Sequence, residues 1–183
     1  MENNNTKDEK ENLDHDGIFK KSLEHKKVAK QFCEAHLPDY IKEVVDLDTL
    51  EMDKETYIEQ VGDKKSSDVL FKTKFDGQDG FIYVLCENQS SLDYWMPYRF
   101  FKYMMCIWDQ YRAKNPESEL LPPIYPLLFY NGKQKYTSPK SLFKLFNNPE
   151  LAKKCLNSIY NLVDITTTPD NKIKEKDWLA LME

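Results

Sequence analysis

The chain has 183 residues, of which 40% are hydrophobic and 13% aromatic, so it can bury a sizeable core without disulfides or a structural metal. Its formal charge of −5 argues against a general polyanion binder, and no apolar run reaches the roughly 18–20 residues that a membrane span requires. Four cysteines without a CxxC pair argue against a zinc ribbon or a disulfide framework and indicate a reducing, intracellular compartment. Together with the lack of a long apolar run, they predict a cytoplasmic protein with no membrane partner.

The N-terminal part is predicted to be a polar leader followed by a helix. Residues 1–14 are poor in hydrophobic side chains, so we expect them to be disordered and not to act as a signal peptide. A helix is predicted to start near Asp16 and to end before Pro38, because apolar residues recur at helical spacing between them. Residues 41–50 fit either a short helix or irregular structure, and residues 56–61 have the composition of a strand.

Two strands joined by a turn form the centre of the predicted sheet. They are residues 68–75 and 81–88, on either side of the turn sequence DGQDG. A hairpin symmetric about Gln78 would place Asp68 opposite residue 88, give or take one residue, and therefore within roughly 5–8 Å of Glu87 and Gln89. The register decides whether Asp68 shares their sheet face, because a slip of one residue turns every side chain over.

The second half of the chain is predicted to contain a long amphipathic helix at 95–114. Its apolar stripe consists of Tyr94, Tyr98, Phe101, Met105, Trp108 and Tyr111. The later predicted elements are a buried strand at 124–130, short helices at 139–147 and 149–158, and a last strand at 163–167. This order of elements predicts an α/β fold with a mixed sheet flanked by helices. The apolar pattern in 171–183 predicts the start of a helical C-terminal segment that continues in a longer protein or is covered by a partner.

The polar end of the second hairpin strand suggests chemistry. Two carboxylates, Asp68 and Glu87, that converge at strand ends form a hard oxygen site suited to Mg²⁺ or Mn²⁺. Such an ion polarises a phosphodiester and activates an attacking water, whereas Gln89 can contribute only hydrogen bonds. The alternative is that the strand simply reaches the surface, since this spacing of acids also occurs by chance.

Five ordered stretches resemble the Rpn (YhgA-like) family of recombination-promoting nucleases and transposase-like proteins, a branch of the PD-(D/E)xK nuclease superfamily. These stretches are HDGIFKKSL at 15–23, QFCEAHLPD at 31–39, SDVL at 67–70, ENQS at 87–90 and LFYNG at 128–132. Val163-Asp164-Ile165 followed by Pro169-Asp170 also fits, so the resemblance covers about residues 15–170.

The resemblance implies a restriction-endonuclease-like core over residues 15–170 and a metal-dependent DNA endonuclease, linked to recombination or to conflict with mobile elements and phages. It implies that Asp68, Glu87 and Gln89 are catalytic, and that Asp68, Glu87 and the carbonyl of Asn88 are ligands of Mg²⁺ or Mn²⁺. Cutting both DNA strands usually takes two active sites, so a homodimer is also expected.

Two positions depart from the superfamily pattern. Ser67 replaces the proline of the PD pair, and Gln89 replaces the usual lysine, as in the family's own variant. Losing that lysine removes a cation that stabilises the pentavalent phosphate, which leaves slow or conditional activity open. The alternative function is therefore a nucleic-acid-binding or regulatory module that retains the fold with weak or no catalysis.

For the other charged residues, the sequence allows two interpretations of each role. Asp16 is either an additional acid that reaches the metal or the N-cap of the first helix. Arg99 and Lys102 either hold DNA phosphates or lie on a solvated helix face, away from the apolar stripe. Lys133 and Lys135 belong to a stretch of thirty residues with charge +4, which is either a footprint for DNA or an ordinary basic loop.

Overall fold

The computed structural model describes residues 17–53, 67–87, 92–158, 160–162, 164 and 166. The chain divides into two compact units, Met1–Leu142 and Phe143–Glu183. The second unit contains a helix, Pro149–Ser158. Asn148 caps the start of this helix, because its side-chain oxygen accepts a hydrogen bond from the Leu151 N–H at 3.0 Å.

The first unit contains the sheet and the helices around it. Its elements are α1 (17–23), α2 (Lys26–His36), α3 (Asp39–Lys42), β1 (Val45–Asp53), β2 (Ser67–Phe75), β3 (Gln78–Glu87), α4 (Met96–Lys114) and β4 (Ile124–Tyr130). A 3₁₀ turn follows at Leu142–Leu145, where the sequence predicted a longer helix. The predicted long helix, the strand at 124–130 and the helix at 149–158 are confirmed. The leader, the predicted strand at 56–61 and most of the one at 163–167 lie outside the described residues.

Within the described residues, four strands form one mixed sheet in the order β1-β2-β3-β4. Strands β1, β2 and β3 are antiparallel neighbours, and β4 runs parallel to β3 after the crossover through α4. This arrangement confirms the predicted α/β fold with a mixed sheet flanked by helices.

The β2–β3 hairpin has a different register from the predicted one. The turn consists of Asp76 and Gly77, which both have positive φ (48° and 79°), as two-residue hairpin turns of type I′ require. The first Asp-Gly pair of DGQDG therefore makes the turn, and the second lies in β3. As a result Asp68 is opposite Leu85 and not residue 88.

The sheet is covered on both faces, and β3 lies in the middle of the packing. One face packs under α1 and α2, with buried Leu23, Ala29 and Cys33 against Phe71 and Ile82. The opposite face packs under α4 through a second cluster of buried residues: Leu70, Phe81, Tyr83, Leu85, Met96, Tyr103, Ile107 and Ile124. Residues 80–87 of β3 are therefore all buried, as expected for a strand covered on both sides.

The single N-terminal helix that the sequence predicted is broken into α1 and α2. The break falls at Glu24 and His25, where the Glu24 and His25 N–H groups donate to carbonyls three residues back. Both Leu23 and Ala29 are buried, but residues six apart lie on different sides of a continuous helix. The break lets both of them face the same core.

Residues 45–53 form an edge strand. The sequence of residues 41–50 had been compatible with either a short helix or irregular structure. Exposed Asp46 and Asp48 alternate with partly buried Val45, Leu47 and Thr49, which is the pattern of a half-buried strand. The acids are compatible with a strand here because they point to solvent at the sheet edge.

Helix α4 packs through a different stripe from the predicted one. Its fully buried side chains are Met96, Tyr103 and Ile107. Trp108 and Tyr111 of the predicted stripe contact this core, whereas the rest of that stripe is exposed: Tyr94, Tyr98, Phe101 and Met105. The helix is apolar on two sides, so periodicity alone did not determine which side faces the sheet.

Three of the family-like stretches meet in one aromatic cluster. The Phe19 ring stacks on the Phe129 ring at 4.4 Å between centroids, and Phe32 packs edge-on against both. These residues come from α1, α2 and β4, so the cluster joins the N-terminal helices to the edge strand of the sheet.

Candidate functional site

Asp68 and Glu87 lie on the same face of the sheet, beneath α4. Asp68 is opposite Leu85, and Glu87 is two residues further along β3, so the two acids are diagonal neighbours. Diagonal neighbours in an antiparallel pair are about 7–8 Å apart at Cα, and closer at Cβ. Asp68 is half-buried and Glu87 is only 4% exposed, so the alternative that the strand simply reaches the surface at Glu87 is wrong.

Arg99, from the first turn of α4, forms ion pairs with two acids at this end of the sheet. Its Nη1 donates to Glu87 Oε2 at 3.2 Å and to Asp93 Oδ2 at 2.9 Å. The side chains of Arg99 and Asp93 are 16% and 21% exposed, so both pairs are largely shielded from water. Arg99 therefore does not lie on a solvated helix face, so that interpretation of the sequence is wrong for Arg99.

The protonation of Arg99 is secured by its surroundings. Burial lowers the pKa of Arg99, but hydrogen bonds to Asp93 and Tyr103 and the charge of Glu87 raise it, so the net shift is upwards. The guanidinium also lies over the Tyr103 ring, with Cζ at 5.9 Å from the ring centroid. The site thus contains a permanent positive charge held against the Glu87 carboxylate.

Tyr83 connects Asp68 to the core under α4. Its side chain is 1% exposed, and its ring packs edge-on against Phe100 and Tyr103 at 5.7 and 5.9 Å between centroids. Burial raises the pKa of the Tyr83 hydroxyl, and the neighbouring Asp68 carboxyl raises it further. The phenol is therefore neutral at physiological pH, and its hydroxyl lies near the Asp68 carboxyl.

The segment after β4 lines the other side of the site. The Asn131 N–H donates to the Glu87 carbonyl at 3.0 Å, which extends the β3–β4 pairing beyond Tyr130. Burial raises the pKa of Tyr136, and the negative charges of the nearby Asp93 and Glu87 raise it further. Tyr136 also lines a cavity of about 620 Å³ between α4 and β4, together with Lys140.

The structure brings together only some of the residues that the sequence singled out. Asp68, Glu87 and Arg99 form one cluster, whereas Lys102 is exposed on α4, and Lys133 and Lys135 are exposed after β4. Gln89, Asn88 and Asp16 lie outside the described residues, so their assigned roles remain predictions.

Sequence reasoning missed Asp93 and Tyr83. Asp93 has a local signal, because it lies just before a helix and its Oδ1 accepts a hydrogen bond from the Trp95 N–H at 2.7 Å. An Asx turn that leads into the helix explains one carboxylate oxygen and leaves the other for Arg99. Tyr83 gave no signal, because a tyrosine in an apolar strand is normally read as core.

The two acids decide whether a divalent cation fits this site. Carboxylates are the preferred ligands of Mg²⁺ and Mn²⁺, but the Glu87 carboxylate is already paired with the Arg99 guanidinium, which a cation would have to share or displace. Among the described residues, no group of three His, Cys, Asp or Glu side chains is arranged to hold a metal ion. A metal at this site would therefore rest on Asp68 and Glu87, with further oxygens from elsewhere.

The fold and the site together define a nuclease-like α/β domain, with an acidic pair at adjacent strand ends and an arginine from the crossover helix. The chain belongs to the family described as "Putative transposase, YhgA-like", which it matches over residues 13–183. This confirms the resemblance seen in the sequence.

Curated relatives come from Escherichia coli. The chain is 36% identical over 170 residues to "Recombination-promoting nuclease RpnC" of strain K12, and 36% identical over 171 residues to "Recombination-promoting nuclease RpnD" of O157:H7. It is also 32% identical over 170 residues to "Inactive recombination-promoting nuclease-like protein RpnE" of strain K12. Each match covers 92% of this chain, but only 56%, 65% and 56% of these relatives.

No solved structure shows significant similarity to the chain. None of the helices in the described part of the chain combines the length and the apolar character needed to cross a bilayer.

Proposed function

We propose that this chain is the nuclease part of a Mg²⁺- or Mn²⁺-dependent DNA endonuclease that acts in the cytoplasm, in recombination or in conflict with mobile elements and phages. The observation that supports the proposal is the placement of Asp68 and Glu87 on one sheet face, with the Arg99 guanidinium at Glu87. The names of the relatives RpnC and RpnD point the same way.

Asp68 and Glu87 would hold the ion, with the Asn88 carbonyl as a third oxygen by resemblance to the family. When bound, such an ion acts as a Lewis acid on the phosphodiester and activates a water. Tyr83 would orient the Asp68 carboxylate, since its neutral hydroxyl lies near it. Gln89 would hydrogen-bond to the attacking water or to the scissile phosphate.

Arg99 is assigned to charge stabilisation. Its guanidinium is held by Glu87 and Asp93, so it has a fixed position at the acidic pair. A preorganised positive charge stabilises the extra negative charge of a pentavalent phosphate. This would replace part of what is lost when the superfamily lysine becomes Gln89.

The remaining cations are assigned to the DNA backbone. Lys102, Lys133 and Lys135 are exposed, and exposed lysines contact phosphates without reading sequence. A homodimer would supply the second active site that cleavage of both strands requires.

A plasmid-nicking assay with Mg²⁺ or Mn²⁺ tests the proposal. Asp68→Asn should abolish nicking while retaining the shape and size of the side chain. Asp79→Asn is the matched control, because Asp79 lies in the same hairpin but is exposed and pairs with Lys74 at the surface. Equal nicking by the Asp68→Asn variant and the wild type would show that Asp68 has no catalytic role.

Gln89 is tested by two substitutions in the same assay. Gln89→Ala should slow nicking by roughly 10²–10³-fold, the usual effect of losing one transition-state hydrogen bond. Gln89→Lys should retain more activity than Gln89→Ala, because lysine provides a cation. Full activity in both variants would remove Gln89 from the mechanism.

The second candidate function is a DNA-binding or regulatory module with weak or no catalysis. Two observations favour it: Glu87 is buried and ion-paired, and the relative RpnE is described as inactive. Under this hypothesis the wild type would shift DNA in a gel without nicking it at any Mg²⁺ or Mn²⁺ concentration.

A further inference from the structure

The outer face of α4 is unusually apolar for a protein surface. Five large side chains there are each between 40% and 56% exposed: Tyr94, Trp95, Tyr98, Phe101 and Met105. Tyr98, Phe101 and Met105 are spaced by three and four residues, on the side of α4 opposite the one that packs on the sheet. Tyr94 and Trp95 lie just before the helix begins, and the Trp95 ring packs edge-on against both Tyr94 and Tyr98. We call these five residues the α4 outer face. Contiguous exposed apolar surface of this kind marks an interaction site.

The α4 outer face is tied directly to the acidic site. Asp93 accepts the Trp95 N–H at 2.7 Å through Oδ1 and the Arg99 Nη1 at 2.9 Å through Oδ2. Arg99 in turn donates to Glu87. The aromatic rings at the start of the helix are therefore next to the place where the scissile phosphate is proposed to bind.

The exposed charge on this face favours an anionic partner. Between Asp93 and Asp109 the sequence has no acidic residue, and the exposed cation of this stretch is Lys102, because Arg99 is turned inwards and paired with Glu87 and Asp93. Lys102 is exposed and lies one turn from both Tyr98 and Met105. Aromatic rings interleaved with cations are the surface on which unpaired bases stack while the backbone is neutralised.

We propose that the α4 outer face binds a single-stranded segment of the DNA substrate, with bases stacked on Trp95 and Tyr98 and a phosphate at Lys102. The proposal rests on the proposed function and specifies its substrate: DNA that is single-stranded beside the cut. A second copy of the chain fits this face less well, because a two-fold contact would bring two Lys102 side chains into one interface.

Binding is measured by fluorescence anisotropy with an oligothymidylate of about 20 nucleotides, in EDTA so that no hydrolysis occurs. Trp95→Ala and Tyr98→Ala should each weaken binding roughly tenfold or more. Tyr40→Ala is the matched control, because Tyr40 is 65% exposed and neighbours Tyr125, on the opposite sheet face from α4. A second readout is quenching of tryptophan fluorescence by the oligonucleotide, which Trp95→Phe should largely remove.

Three outcomes would overturn the proposal. The first is that the wild type does not bind the oligothymidylate. The second is that both alanine variants bind it with unchanged affinity. The third is that the only effect of the substitutions is a change from dimer to monomer, measured by sedimentation. The proposed function is tested separately, because nicking of duplex plasmid without oligothymidylate binding would reject this inference alone. Conversely, oligothymidylate binding that depends on Trp95 and Tyr98, without metal-dependent nicking, would reject the nuclease assignment alone.

Discussion

The Arg99 guanidinium and the Glu87 carboxylate form an ion pair inside the protein, with Nη1 and Oε2 3.2 Å apart and the Glu87 side chain 4% exposed. Both groups have lost most of their hydration, so each depends on the other and on Asp93, which shares the same guanidinium nitrogen. The pair joins β3, the central strand of the packing, to the first turn of α4.

Removing one member of this pair should destabilise the fold. Arg99→Ala leaves the Glu87 carboxylate buried without its guanidinium, and breaking a buried pair in this way typically costs about 3–5 kcal/mol. Urea denaturation followed by circular dichroism measures the loss. Arg112→Ala, at an exposed position of the same helix, is the control and should change the stability by less than about 0.5 kcal/mol. Equal stability of the two variants would contradict the structural role of the pair.

Tyr83→Phe should reduce activity without weakening the fold. Phenylalanine keeps the ring contacts to Phe100 and Tyr103 but removes the hydroxyl beside Asp68. Loss of a group that orients a metal ligand usually costs about 10–100-fold in metal affinity or activity. We therefore expect plasmid nicking to require a higher Mg²⁺ concentration, with an unchanged urea midpoint. An unchanged Mg²⁺ dependence would show that Tyr83 is only a core residue.

Gly80→Ala should destabilise the hairpin. Gly80 is paired with Thr73, and a Cβ at this position would overlap the ring of Phe75, which covers the glycine. Forcing an extra methyl group into a packed core typically costs about 1–3 kcal/mol. Gly17→Ala is the control, because a Cβ at Gly17, at the start of α1, would meet nothing within 4 Å. Thermal denaturation of the two variants should show a lower midpoint for Gly80→Ala only.

Stability should fall at alkaline pH through Cys33. Burial raises the pKa of the Cys33 thiol from 9.0 to about 12. The unfolded chain loses this proton above its ordinary pKa while the folded chain keeps it. The contribution of the protonated Cys33 thiol to the free energy of unfolding is thus complete below pH 9.0. It is lost as the pH rises towards about 12, by about 1.4 kcal/mol per pH unit.

The alkaline effect is measured by urea denaturation at about pH 8 and about pH 10.5. Cys33→Ala should show a shallower decrease of unfolding free energy than the wild type. Cys155→Ala, at an exposed cysteine, should follow the wild type. If Cys33→Ala had the same pH slope as the wild type, the thiol would not be responsible.

Much of the fold could be predicted from local patterns. The strand Ile124–Tyr130, the long helix ending at Lys114 and the two hairpin strands follow from apolar runs bounded by turn and proline signals. The proximity of Asp68 and Glu87 could be expected for the same reason, because a tight turn between two strands forces their far ends together.

The tertiary structure decided the register and the orientation of α4. Either Asp-Gly pair of DGQDG can form a turn, and burying Tyr83 and Leu85 beneath α4 places Asp68 on the face of Glu87. Helix α4 is apolar on two sides, so only packing against Tyr83 and Leu85 selects the side with Tyr103 and Ile107. That choice turns Arg99 inwards to Glu87 and leaves Tyr98 in solvent, because residues on one helix keep fixed angles to one another.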